Sequence, residues 1–306
     1  MKSHRDTARQ GRQSMVACSM SGMYLSPAVR AAAWLASQRE ATDIDDDERF
    51  EPKGAPPGLT PSGHPIWKIP GARPFARPIR LTKGWFRERR SRSLTSAMGP
   101  TGLIFVHVPK NAGSSVTECL YGGTLGHHSM QFLRGALPRQ LSERAFSFAI
   151  LRDPYARFRS AFAYLKTMPT FAADIRFRDN HLADIADFET FVARLEDPSF
   201  RRVVTKWHHF REQCAFVSDS HGRLLVDALF SMERMDTVQA MLHACLPQER
   251  IIGRSNASSL GKPECAGAEI VAELFAEDMR LYERLSSSPI QVLRTPKFRN
   301  RLRPER

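Results

Sequence analysis

The chain has 306 residues with 45 Lys+Arg against 32 Asp+Glu, a net charge of +13 with histidine neutral and a pI near 10.0, and 42% of it is hydrophobic. That is a globular composition, long enough for one large domain or two small ones. A compact fold of this size buries roughly 75% of its unfolded surface, so neither metal nor disulfide is needed to build a core.

Arg5, Arg9 and Arg12 precede an apolar stretch at residues 15–25 and imitate the start of a secretory signal, but Ser and Gly interrupt the stretch and no convincing cleavage site follows. No run approaches the roughly 18 apolar residues of a spanning helix. Cys18, Cys119, Cys214, Cys245 and Cys265 are widely separated, with no CxxC and no zinc-finger spacing. Free thiols in a reducing, cytoplasmic compartment are the expectation.

Residues 1–99 carry 17 basic and 9 acidic side chains, a net of +8, so most of the excess charge sits in one third of the chain. Residues 30–39 read as a short helix containing Trp34 and Leu35, followed by the acidic cluster Asp43, Asp45, Asp46, Asp47 and Glu48. Residues 51–78 include eight prolines and four glycines, the composition of a linker or an extended arm. A basic run follows, Arg80, Lys83, Arg87, Arg89, Arg90 and Arg92, with Trp85 and Phe86 interleaved. It reads either as a solvated basic segment or as a contact for nucleic acid or glycan. These 99 residues are expected to form an extension outside the main domain at 100–290.

Residues 103–108 and 146–151 are apolar, β-rich runs, each followed by a helical pattern. After the second, Asp153 can cap a helix whose first turn holds Pro154, and Phe158, Phe162 and Leu165 give that helix an apolar stripe. Further on, 182–195 reads as helix, 224–230 as strand, 237–246 as helix, and 264–285 as one long amphipathic helix. Residues 291–306, with Lys297, Arg299, Arg301, Arg303 and Arg306, read as a basic tail. The repeated strand, loop and helix predict an α/β fold with a central, mostly parallel sheet flanked by helices and ligand loops at strand ends.

The turn after the first strand, Pro109-Lys110-Asn111-Ala112-Gly113-Ser114-Ser115, is small and polar. Such a turn can aim backbone N–H groups and the positive end of a helix at phosphate oxygens. Gly113 permits close approach, Ser114 and Ser115 add hydroxyls, and Lys110 supplies a mobile charge. The lysine precedes the small residues, so GxxxxGK[ST] is not satisfied, and no GxGxxG is present. A second corner follows the other strand: Arg152 offers a donor fork, and Ser160 lies eight residues later on the capped helix. Arg157 and Arg159 read as solvated helix arginines that thicken the field. Together the two corners make a bipartite anion site.

These two segments resemble those of the sulfotransferases that use 3′-phosphoadenosine 5′-phosphosulfate, in particular the carbohydrate sulfotransferase-like branch and its bacterial relatives. The turn at Lys110 looks like that family's 5′-phosphosulfate loop. Arg152-Asp153-Pro154-Tyr155-Ala156-Arg157-Phe158-Arg159-Ser160 looks like its 3′-phosphate segment. The likeness covers roughly residues 102–286. It implies the P-loop-like sulfotransferase fold, the phosphosulfate nucleotide as donor and the 3′,5′-bisphosphate as product. It also implies transfer of a sulfuryl group to a hydroxyl of a carbohydrate or glycan-like acceptor. Lys110, Asn111, Ala112, Gly113, Ser114 and Ser115 would cradle the 5′ end, and Arg152 and Ser160 the 3′ phosphate. Glu212 stands where the family often has proline before Gln213, which leaves the role of Gln213 open.

Sulfuryl transfer to an alcohol needs a base, and His127-His128 follows the phosphate-loop helix. His128 looks like the better match, with His127 and Glu118 as alternatives. His107 reads as structural, and His208 and His209 as either pocket or packed loop. No HExxH or acidic ligand set is present, so no catalytic metal is expected. Two other classes fit less well: a non-enzymatic basic protein binding nucleic acid or another polyanion on the same core, and a nucleotide-dependent phosphotransferase.

Overall fold

A computed structural model describes residues 26–53, 78–246, 250–253 and 267–302, the side chains of 78–87 apart. The expectations for residues 15–25, Cys18, Cys265, the proline-rich stretch over 54–77, the side chains of Arg80, Lys83, Trp85, Phe86 and Arg87, and Arg303 and Arg306 lie outside the described residues.

In chain order the elements are α1 (Pro27–Ser37), β1 (Thr42–Asp43), α2 (Pro78–Met98), β2 (Leu103–Val106), α3 (Gly113–Tyr121), α4 (Met130–Ala136), α5 (Arg139–Arg144) and β3 (Phe146–Leu151). There follow α6 (Pro154–Thr167), α7 (Ala172–His181), α8 (Phe188–Arg194), α9 (Pro198–Lys206), α10 (Cys214–Val217) and β4 (Ala228–Ser231). The last are α11 (Met235–Cys245), α12 (Ala268–Leu274), α13 (Ala276–Ser286), β5 (Val292–Arg294) and α14 (Pro296–Leu302). The five strands form one sheet in the order β1-β5-β4-β3-β2, parallel except for the antiparallel pair β4/β5. The expected α/β architecture is therefore present.

Alternation along the strands assigns the two faces. Ile104, Val106, Ala149, Leu151 and Leu229 point to one layer with Leu94, Met98, Met130, Leu133, Leu281 and Leu285. Leu103, Phe105, Phe146, Phe148, Ile150 and Phe230 point to the other, with Ala31, Leu35, Val116, Leu120, Met241 and Leu242. Both faces are covered, which is why these strands are buried at every position and apolar at all but Ser147 and Ser231. A third, aromatic cluster around Phe158, Phe162, Phe191, Phe210 and Phe275 joins α6 to the helices that follow it.

Two expected boundaries are corrected. Residues 291–302 do not form a tail: β5 lies between β1 and β4, and α14 packs Phe298 fully into the core. Their charges are bound to the domain. Lys297 Nζ lies 2.9 Å and Arg301 Nε 3.1 Å from the fully buried Asp227 carboxylate, which also accepts from Ser147 N and Oγ. Burial alone would raise Asp227, but the two cations outweigh it and hold the carboxyl below its usual range. Residues 1–99 are not wholly outside the domain either, since α1 buries Ala31 and Leu35, β1 pairs with β5, and α2 buries Leu94 and Met98.

Smaller differences have local causes. The first strand stops at Val106, two residues early, where Val108 N donates back to Val106 O at 3.0 Å. Strand β4 starts at Ala228 rather than 224, and within 182–195 only α8 is helical. The expected helix over 264–285 is two, α12 and α13, broken at Phe275, whose ring is buried in the aromatic cluster. Among the described residues no helix is long and apolar enough to cross a membrane.

Candidate anion site at two adjacent strand ends

β2 and β3 are parallel neighbours, with Val106 opposite Ala149, so the loops at their C-terminal ends emerge side by side. In the first loop Lys110 has φ 70° and Ala112 φ 56°, left-handed conformations that non-glycine residues seldom take. Alternation of this kind turns successive N–H groups to one side and forms an anion-binding concavity. Ala112 is the N-cap of α3 and supplies no side-chain cap. The first bond of the helix ladder is Val116 N to Ala112 O, so the N–H groups of Gly113 and Ser114 are not used by that ladder.

Gly113 is required by contact. A Cβ built there would lie 1.9 Å from Cδ2 of the buried His107 ring. Gly113→Ala is expected to destabilise the protein by roughly 1–3 kcal/mol through overpacking. In a His107→Ala background the added penalty should largely vanish, which a double-mutant cycle of thermal unfolding measures.

The second loop is tied to the first by one buried amide. Gln213 Oε1 accepts from Asn111 Nδ2 at 2.6 Å and from Arg152 N at 3.1 Å, while Gln213 Nε2 donates to Arg152 O at 2.9 Å. Asn111 Nδ2 also donates to Ile150 O at 2.8 Å, and the Arg152 guanidinium reaches Lys110 O at 3.4 Å. Gln213 is itself held by Asp278, whose oxygens accept from Gln213 N at 2.7 Å and Cys214 N at 2.8 Å. Arg157 is fully buried behind this turn, donating to the carbonyls of His209 and Arg211 and standing 3.8 Å from Asp278. It is therefore a structural cation and not the solvated helix arginine expected from the sequence. Ser160 is buried on α6, whose N-terminus Asp153 caps by accepting from Ala156 N at 2.7 Å.

Lys110 is half-buried, with Nζ 4.2 Å from the centre of the Tyr164 ring. Burial, then the nearby Arg152, lower its pKa to about 8 against the opposing pull of Asp174. Tyr164 in turn donates to Asp174 at 3.0 Å and packs its ring 4.9 Å from that of His209.

The two candidate bases face different surroundings. His128 Nε2 lies 2.6 Å from Arg90 Nη2 and 3.2 Å from Arg90 Nε. A guanidinium only donates, so this nitrogen's lone pair is engaged. The space between His128, His107, Tyr121 and Leu133 is about 10 Å³, about the room of one water. His127 has Nδ1 3.1 Å from the His107 carbonyl oxygen, which can only accept, so Nδ1 carries the hydrogen and Nε2 keeps its lone pair. Burial lowers the His127 pKa, with Lys110 acting in the same direction. Glu118 is exposed on α3. The geometry thus brings Lys110, Asn111, Ala112, Gly113, Arg152 and His127 toward one place and turns His128 away from it.

No protein-family model, curated protein or solved structure matches this chain. Its function rests on its own residues. The link that sequence reasoning left open is Gln213, together with Asp278 and Arg157 behind it, because their partners are 60 or more residues distant for Gln213 and only the fold brings them together.

Proposed function

We propose that the protein is a sulfotransferase, built on the P-loop-like fold of that family, that binds 3′-phosphoadenosine 5′-phosphosulfate across the two strand ends and transfers its sulfuryl group to a hydroxyl, with carbohydrate as the acceptor class. The observation that carries the reading is the lock formed by Asn111, Gln213 and Arg152, which fixes a phosphate-type cradle and an arginine fork side by side. Two anionic ends of one nucleotide suit two cationic corners on adjacent parallel strands. The free thiols Cys119, Cys214 and Cys245 accord with a cytoplasmic setting.

In this mechanism the N–H groups at the start of α3 and the Lys110 ammonium hold the 5′ end, and Arg152 holds the 3′ phosphate. The acceptor oxygen attacks sulfur in line, the bond from sulfur to the 5′-phosphate oxygen breaks, and the acceptor proton passes to a base. His127 Nε2 takes that role rather than His128. Lys110 meets the charge that develops on the departing phosphate. The test is calorimetric titration with adenosine 3′,5′-bisphosphate, ATP and a polynucleotide, followed by an acceptor screen read by labelled sulfate and product mass. Selective bisphosphate binding with sulfate transfer supports the reading. Preference for ATP or for polynucleotide overturns it in favour of a phosphotransferase or a polyanion binder.

Lys110 also sets a pH dependence. With a pKa of about 8 it is charged at about pH 7 and mostly neutral near pH 9.5, so bisphosphate affinity should fall by about tenfold over that range. Arg152 and Asp174 are the charged groups that bear on it, and His107, His127 and His209 feel its charge. Lys110→Arg, charged throughout, should flatten the profile. An unchanged slope in that variant would show that another group titrates.

A further inference from the structure

Beside the phosphate cradle the structure gathers three histidines from two separate segments. His127 follows α3, and His208 and His209 lie between α9 and α10. One ring nitrogen of each lies within 4.8 Å of the other two. An equilateral triangle of that side has its centre about 2.8 Å from each corner, so ring shifts of about 0.7 Å bring all three to a Zn–N distance of about 2.0–2.1 Å.

The surroundings prepare these rings as ligands. His127 donates Nδ1–H to the His107 carbonyl and keeps the lone pair on Nε2. His209 Nε2 lies 3.2 Å from Asp174 Oδ2, and since a carboxylate only accepts, the remaining lone pair is on Nδ1, a buried atom without a hydrogen-bond partner among the described residues. Asp174 is fully buried, and its other oxygen, without a hydrogen bond among the described residues, stands 3.8 Å from His208 Nε2. A carboxylate behind metal-binding imidazoles fixes tautomer and orientation and supplies negative charge to balance a cation.

We infer that His127, His208 and His209 bind a divalent transition cation of the zinc class, with Asp174 as the outer carboxylate and a fourth position left for solvent or an exogenous ligand. Three imidazole nitrogens select such an ion over magnesium or calcium, which take oxygen ligands. The inference rests on the ring geometry and not on the sulfuryl-transfer reading. Where both hold, an ion on His127 takes the lone pair that the acceptor proton requires, so metal and transfer exclude one another.

The experiment uses full-length, tag-free protein, stripped with chelator and studied without nucleotide. Zn²⁺ is titrated by calorimetry and Co²⁺ by visible absorption. The expected result is one equivalent of each, a Co²⁺ d–d spectrum of four- or five-coordinate intensity, and affinity weakened at least ~30-fold in His127→Gln and in His208→Gln. The exposed His221→Gln and His243→Gln variants should bind as the parent does. His209 is buried, so the two less buried ligands carry the test, with circular dichroism and the thermal midpoint confirming their fold. Absence of stoichiometric binding, or binding undiminished in either the His127 or the His208 variant, would overturn the inference.

Discussion

Lys110→Ala is expected to lower the single-turnover rate of sulfuryl transfer by about 10²–10³-fold at saturating donor, with a smaller loss of donor affinity. The reason is the difference between the ground and transition states. In the proposed donor complex, backbone N–H groups at the start of α3 and the Arg152 fork would share the anionic charge, so loss of one cation would be partly compensated. As the bond to sulfur breaks, negative charge concentrates on the departing 5′-phosphate oxygen, and Lys110 is the mobile cation in that loop. Its place over the Tyr164 ring, 4.2 Å from the centre, keeps the ammonium partly desolvated, which strengthens its action on a nearby charge. Rapid-quench measurement with labelled donor separates the two effects. A chemical rate within a few-fold of the parent would show that Lys110 is only a binding residue.

Gln213→Leu should damage both corners at once. The leucine has similar volume but leaves Asn111 Nδ2 with one acceptor, and leaves Arg152 N and Arg152 O without their present partners in a site that is 1% exposed at Gln213. Each buried polar group left unpaired costs roughly 1–3 kcal/mol, so a stability loss of about 2–4 kcal/mol is expected. Because the two loops lose the amide between them and keep only the bonds from Asn111 to Ile150 O and from Arg152 to Lys110 O, adenosine 3′,5′-bisphosphate should bind at least ~10-fold more weakly, and the loss should be shared between its two phosphates. Chemical denaturation and calorimetry on the folded fraction measure the two effects. Gln213→Glu is a second variant: it keeps the acceptor for Asn111 and Arg152 N, but its carboxylate faces the Arg152 carbonyl oxygen and adds a buried charge, so it too should lose stability. Parental stability and affinity in Gln213→Leu would show that the amide is not the link between the corners.

What could be read from the sequence was local. The strand and helix around each corner are written in contiguous residues: apolar runs for β2 and β3, then Asp153 and Pro154 for the start of α6. Charges with distant partners were misread. Arg157 looks solvated until Asp278 and the carbonyls of His209 and Arg211 close around it. Lys297 and Arg301 look like tail residues until Asp227, some seventy positions earlier, is brought under them. The choice between His127 and His128 depends on one turn that sends neighbouring rings to opposite sides, toward Arg90 in one case and the His107 carbonyl in the other. Nothing in adjacent identical residues encodes that choice. The gathering of His127 with His208 and His209 is likewise a product of chain path and not of spacing.

The central claim is that the two strand ends hold one nucleotide, with Arg152 on its 3′ phosphate. The direct measurement is a cycle of four calorimetric titrations: parent and Arg152→Ala, each with adenosine 3′,5′-bisphosphate and with adenosine 5′-monophosphate. Arg152 is half-buried at the end of β3 and its fork is the proposed contact, so removing either the side chain or the 3′ phosphate should weaken binding by a few kcal/mol, on the order of a charge-assisted hydrogen-bond pair. Removing both should cost little more than removing one. Strictly additive losses, with no coupling between Arg152 and the 3′ phosphate, would contradict the bipartite site.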